Sequence, residues 1–486
     1  MSALTYVVPA AAVSLFVLLF LLWHRRFRIA SAYPKAKTGT AATWSLLIAY
    51  LVVTNILIQV HRDTTTLLEE GLSDQNIAQV IVTLLVMAWA CILLLTRRVP
   101  TNALLRGPMF WVSTSIVVFA ASTAWSLWPM LTFYRTTELW AIAVLSLHLF
   151  RRENMFGALE KYAISALIPV GVAAVMLSVS DSSGSLFGLF GSNVAAPVAG
   201  VVLLLGLDRI NSRTRKGLDI AFLVVVAIAF LLFGSLASLI GLVIALLAFT
   251  LSGAQVLRRT IVMLMITGFA SSAFFWASSR MDATDQLDVV AQVIRKRPAQ
   301  ILNLTGRLPL WSALLEATAG QPHGFGFVAG ERLASFQIID SHLTGWRAFH
   351  AHNGFLSAWI GAGWFGVFAA CAIFLGLLLS AALVPLRKGT YLSLVVFLCI
   401  NNLTFPIVGS TVNALWPIVV GLCLAGAKRE PKFMVGDGRA PVFITCPPAL
   451  PCTVAAGRSF ERLPEWKLRS SSVPPASRYV RQRDLP

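Results

Sequence analysis

Long apolar runs separated by short polar breaks recur along most of this chain. They centre near residues 15, 50, 87, 118, 143, 171, 201, 226, 244, 269, 368, 399 and 418. A helix needs about 20 mainly apolar residues to cross a bilayer, so the pattern predicts an all-α polytopic membrane protein with about 13 (12–14) transmembrane helices. The least distinct divisions are the turn at Gly234 and Ser235 and the pair near 399 and 418. Two stretches break the rhythm. A polar segment, 279–353, interrupts the helical domain 1–427, and a tail, 428–486, follows it.

The polar segment has its own pattern. In Asp285 to Ile294, the positions Leu287, Val290, Val293 and Ile294 share one helical face, which predicts an amphipathic helix on the bilayer surface. Next, LTGRLPLWSALLEA predicts a short helix that opens near Thr305 and Gly306. It tolerates Pro309 in its first turn and packs through Trp311, Leu314 and Leu315. QPHGFGF reads as a glycine-rich bend, and in AFHAHNGFL the polar segment meets the next apolar helix, with Asn353 as its N-cap. Gly361, Gly363 and Gly366 then predict a close approach by a neighbouring helix.

Composition agrees with the pattern: 57% of residues are hydrophobic, 12% are charged and mean hydropathy is +0.76. A soluble globule carries about twice that charged fraction. Basic residues collect on cytoplasmic loops, and thirteen spans with the N-terminus outside put 30 of the 39 there. Arg25, Arg26 and Arg28 follow the first span, Arg97 and Arg98 the third, Arg151 and Arg152 the fifth, and Arg258 and Arg259 the ninth. The segment 279–353 then faces the opposite, periplasmic side, and the first apolar run reads as an uncleaved anchor.

The net charge of +18 does not point to nucleic acid, because its excess lies in these loops and in the tail. The tail holds eleven basic residues and nine prolines with little apolar periodicity, and is expected to lie disordered near the anionic inner leaflet. No metal site or cofactor is expected. Cys446 and Cys452 match no zinc spacing, and capping and a solvated face account for Asp282, Asp285 and Asp288.

Four of the seven histidines, His323, His342, His350 and His352, fall in the polar segment. Arg307 stands at the mouth of the short helix, where its planar fork and free backbone donors suit a phosphate; anchoring that helix at the interface is the plainer role. His350 and His352 bring imidazoles that titrate near neutral pH to headgroup depth, although capping the span would also place them there. A transporter is the competing class. It would favour internal repeats and ionisable residues within the spans, whereas no repeat is evident and Glu138 and His148 are the main such residues.

The order LTGR…W, P-x-G-F-G-F and HNGFL, then the G-x-x-G of Gly363 and Gly366, resembles the O-antigen ligase and polymerase superfamily of bacterial envelope enzymes. WSLWPMLTFYRTTE (Trp125, Ser126, Pro129, Arg135, Glu138) looks like the family's W-S-x-x-P motif, and GLFGSNVAA (Gly188, Phe190, Asn193) looks like its G-x-F…N motif. One position departs: Leu236 stands where many members carry a basic residue, so that either Arg135, Arg280 or Arg347 replaces that phosphate contact, or the donor differs, or activity is reduced.

The resemblance implies metal-independent, inverting transfer of a glycan from undecaprenyl pyrophosphate to an acceptor hydroxyl. The acceptor is another lipid-linked glycan in polymerases or lipid A core in ligases. HAHNGFL looks more like the exopolysaccharide polymerases. Carried onto this chain, the resemblance makes Arg307 the main pyrophosphate ligand and His352 the base, with a phosphate contact by His352 as the equally chemical alternative. Arg135, His350, Asn353, Asn193 and Trp311 are further substrate-binding candidates. A lipid-linked-glycan flippase is the alternative of another class. The expected location is the bacterial inner membrane, with the site facing the periplasm.

Overall fold

The computed structural model describes residues 38–57, 74–99, 101–152, 155–180, 194–212, 216–233, 235–252, 307–332, 351–383, 388–427, 433–437 and 440–444. Its helices are α1 (Thr38–Val52), α2 (Asp74–Leu95), α3 (Pro108–Ala121), α4 (Pro129–Arg152), α5 (Met155–Ser180) and α6 (Ala195–Ser212). They continue with α7 (Lys216–Leu232), α8 (Leu236–Leu251), α9 (Arg307–Thr318), α10 (Gly354–Leu383), α11 (Lys388–Asn402) and α12 (Trp416–Ala427). A helix stands at eleven of the thirteen predicted positions; those near 15 and 269 lie outside the described residues, as does the amphipathic stretch after Asp285. Five described helices are long and apolar enough to cross a membrane.

The divisions that hydropathy left least distinct are real helix ends. Ser235 caps α8, its hydroxyl accepting from the Ser238 amide at 3.4 Å, so α7 and α8 are separate. Residues 403–415 part α11 from α12.

Most side chains of α12 are buried, among them Trp416, Ile418, Val420, Leu422 and Cys423. The outer faces are apolar as well: Ile81, Leu84, Leu85, Val117, Leu231, Val243, Phe365 and Phe368 are all exposed. Water would penalise so much exposed hydrocarbon, whereas lipid would not. This is a membrane protein.

Two ionic clusters lie inside the helical body. Arg135 of α4, 8% exposed, donates to Glu138 at 2.8 Å, and Glu138, 0% exposed, also accepts from Tyr50 of α1 at 2.9 Å and Thr83 of α2 at 3.2 Å. Arg209 of α6 joins Glu160 of α5 at 3.1 Å and Asp219 of α7 at 3.6 Å. The first pair lies within α4 and is tied to α1 and α2 through Tyr50 and Thr83, and the second joins three helices, in places where an unpaired charge would be costly.

Residues 430–486 form a second compact unit. Within this tail, strands β1 (Phe433–Asp437) and β2 (Ala440–Ile444) pair antiparallel, with Phe433 opposite Ile444 and Asp437 opposite Ala440.

Candidate functional site

The glycine-rich bend is a backbone seam. The Phe325 amide donates to the Ile360 carbonyl and the Gly326 amide to Gly361, each at 2.8 Å, and the Trp364 amide donates to Pro322 at 3.1 Å. These bonds run along a break in α10, where Ala362 and Gly363 leave helical geometry. Gly363 has φ +59, and a Cβ there would press on the Pro322 carbonyl. Gly361 and Gly363, predicted to admit a neighbouring helix, thus admit the bend instead, whereas Gly366 packs on Ala358 of α10 itself.

The same bend receives the junction of α3 and α4. Trp125 Nε1 donates to the His323 carbonyl at 2.8 Å, and the Leu127 amide donates to Phe325 at 3.0 Å. Phe327 donates through its amide to Ser122 and accepts from Thr132, both at 3.0 Å, while its ring stacks on Phe119 at 4.3 Å. Gly326 has φ +103, and a Cβ there would collide with Ser126. W-S-x-x-P and P-x-G-F-G-F, about 200 residues apart in sequence, are two sides of one contact.

Helix α9 docks on the start of α10. Leu310, Leu314, Ala351, Leu356 and Ile360 form a small buried cluster, with Trp311, Phe325 and Trp359 against it. The packing face is Leu310 and Leu314; Leu315, expected to share it, is 51% exposed. Trp359 Nε1 donates to Thr318 at 2.9 Å, and Trp311 Nε1 donates to the Ala351 carbonyl at 2.6 Å.

Ala351 precedes His352, whose φ of +52 lies in the left-handed region. Asn353 follows as the N-cap of α10, its Oδ1 accepting from the amides of Phe355 at 3.0 Å and Leu356 at 3.2 Å. Gly354 passes so close to Asn402 and Val408 that a side chain would not fit. HNG is therefore a cap, a strained residue before it and a close approach after it.

Beneath this turn lies Glu331, 2% exposed. Its carboxylate accepts from the Ala351 amide at 2.7 Å, the Ser357 hydroxyl at 2.6 Å and the Ser410 hydroxyl at 2.7 Å. Burial pushes its pKa above the usual glutamate value, and the three hydrogen bonds and the Arg332 charge pull the other way.

Residues 220–371 match the O-antigen ligase family model. The match covers under half of the chain and makes this segment similar to that family. No curated protein matches the chain. The matched segment includes α7 from residue 220, α8, α9, the glycine-rich bend and α10 to residue 371. Trp125 and Ser410 lie outside the match yet bond to residues within it, and Arg135 also lies outside it.

Within the matched segment, Arg307 is the first residue of α9 and partly buried, and burial lowers its pKa. His352 is half-buried. Trp311 lies one turn after Arg307 on α9 and reaches the residue before His352, so the two candidates belong to adjoining segments. Arg135 is held by Glu138 and stacks over the Tyr134 ring at 5.1 Å; its Nε has no hydrogen-bond partner among the described residues. His323 is exposed, its ring edge-on to Trp125 at 6.1 Å.

His350, Asn193, Arg280 and Arg347 lie outside the described residues, and Leu236 is the first residue of α8. Among the described residues no group of three or more His, Cys, Asp or Glu is placed to hold a metal ion. Sequence reasoning missed Glu331. It counts among six carboxylates of the polar segment, and no local pattern in the sequence marks it out.

Proposed function

We propose that this O-antigen ligase-type membrane protein is an inverting glycosyltransferase. In this reading it moves a glycan from an undecaprenyl-pyrophosphate donor to an acceptor hydroxyl, and polymerises exopolysaccharide or O-antigen repeat units at the periplasmic face of the inner membrane.

The observation that carries the reading is the Trp311–Ala351 bond inside the family-matched segment, which ties the helix begun by Arg307 to the turn bearing His352. Transfer breaks the bond between the anomeric carbon and the pyrophosphate oxygen and leaves charge on the phosphates. Arg307, at the start of α9, holds that charge. His352 takes the acceptor proton as the hydroxyl oxygen forms the new bond. Arg135 is the second phosphate candidate, and His350, Asn193, Asn353 and Trp311 line or orient the substrates. The family model's own description, O-antigen ligase, favours a second reading in which the acceptor is lipid A core.

The test is purified protein in lipid with an undecaprenyl-pyrophosphate oligosaccharide and no other acceptor. A ladder of repeats that disappears in His352→Ala supports the polymerase. Product formed only after lipid A core is added supports the ligase. No transfer under either condition overturns the enzyme reading.

A further inference from the structure

The φ of His352 is set by the peptide plane before it and the cap after it. A non-glycine residue in the left-handed region costs about 1–2 kcal/mol and persists only where its surroundings over-determine it. Asn353 fixes the downstream side as the N-cap of α10. Upstream, Trp311 holds the Ala351 carbonyl, but an indole on a surface-docked helix fixes one atom and leaves the strand free to turn about it.

The second point of attachment is the Ala351 amide, and its acceptor is Glu331. That carboxylate is anchored from two other directions, by Ser357 one turn into α10 and by Ser410 in the 403–415 connection. Its own backbone is equally constrained. Val328, with φ +62, is the centre of a tight turn closed by the Ala329 amide donating to Phe327 at 2.7 Å, and the Gly330 amide donates to Gly326 at 2.8 Å. A buried carboxylate accepting three donors, with no contact to the outside, is suited to holding backbone rather than to meeting a substrate.

We propose that Glu331 is a positioning residue for His352: it holds the Ala351 amide so that the following imidazole is presented in a strained, fixed orientation. The catalytic half of this inference rests on the glycosyltransferase reading; the geometric half does not. Removing the carboxylate leaves three buried donors unmet and frees the turn, and displacement of a reacting group by about 1 Å lowers turnover roughly a hundredfold.

The experiment compares wild type, Glu331→Ala, Glu331→Gln and Ser410→Ala in full-length protein reconstituted in lipid. Steady-state transfer is measured beside the rate at which diethyl pyrocarbonate modifies His352, read by peptide mass spectrometry. Glutamine retains an acceptor for Ala351, so the expected order of kcat is wild type, then Glu331→Gln and Ser410→Ala, then Glu331→Ala. The donor KM should be unchanged, and His352 modification should become severalfold faster in the reverse order. If Glu331→Ala does not accumulate, the other two variants carry the same comparison. A modification rate at His352 that is unchanged in every variant that folds overturns the proposal, as does a loss of kcat that only tracks the folded fraction. If wild type transfers no glycan, the glycosyltransferase reading fails, and the modification rates still decide whether Glu331 positions His352.

Discussion

Trp311 Nε1 and the Ala351 carbonyl lie 2.6 Å apart, a bond across 40 residues that draws the helix of Arg307 onto the turn of His352. Trp311→Phe retains the ring's apolar packing and removes only the donor. We expect a stability loss of about 1 kcal/mol and a fall in glycan transfer of roughly tenfold or more. Melting and turnover of the reconstituted variant check this, and wild-type turnover would show that the bond positions nothing.

Arg135 and Arg307 should separate when each is replaced by alanine. Arg135→Ala strands Glu138 in the helical body with only Tyr50 and Thr83 as donors. Breaking a buried pair in this way costs about 3–5 kcal/mol, so its lost activity should accompany lost folded protein. Arg307 begins a helix at the edge of the site, and its removal should lower kcat roughly a hundredfold with the melting curve shifted far less. Equal destabilisation by the two would make Arg307 a structural residue.

The seam between bend and helix makes a prediction at glycines. Gly363→Ala places a Cβ against the Pro322 carbonyl at a positive φ, and Gly326→Ala places one against Ser126. Each should destabilise by about 1–3 kcal/mol. Gly217 in α7 has nothing within 4 Å of a built Cβ, so Gly217→Ala should be neutral or slightly stabilising. Thermal melts of the three variants in one lipid mixture test the contrast.

The buried Glu331 makes stability depend on pH. Its folded pKa is raised, so the unfolded chain releases this proton at lower pH than the folded one. Over that interval the folded state binds more protons, and its stability falls as pH rises from the ordinary glutamate value to the raised one. Glu331→Gln removes the titration. Wild type should lose melting temperature relative to Glu331→Gln as pH climbs through this window; parallel curves would mean that the three hydrogen bonds fully offset burial.

The apolar periodicity of the chain determined its class and the positions of its helices, because a helix facing lipid must satisfy its backbone internally and cover itself with hydrocarbon. The short helix opening at Arg307 and the cap at Asn353 were equally visible, since each depends on residues within one turn. Tertiary structure alone decided what lies across those turns. Gly361 and Gly363 receive a loop rather than a helix, and Leu310 takes the buried place that Leu315 was expected to share. Glu138 meets Tyr50 and Thr83 from other helices, and Glu331, one carboxylate among several in a polar stretch, lies buried under the His352 turn. Local pattern records which faces of an element are apolar. Which distant donor meets a given acceptor depends on how the helices pack, and a single linear sequence does not carry that pairing.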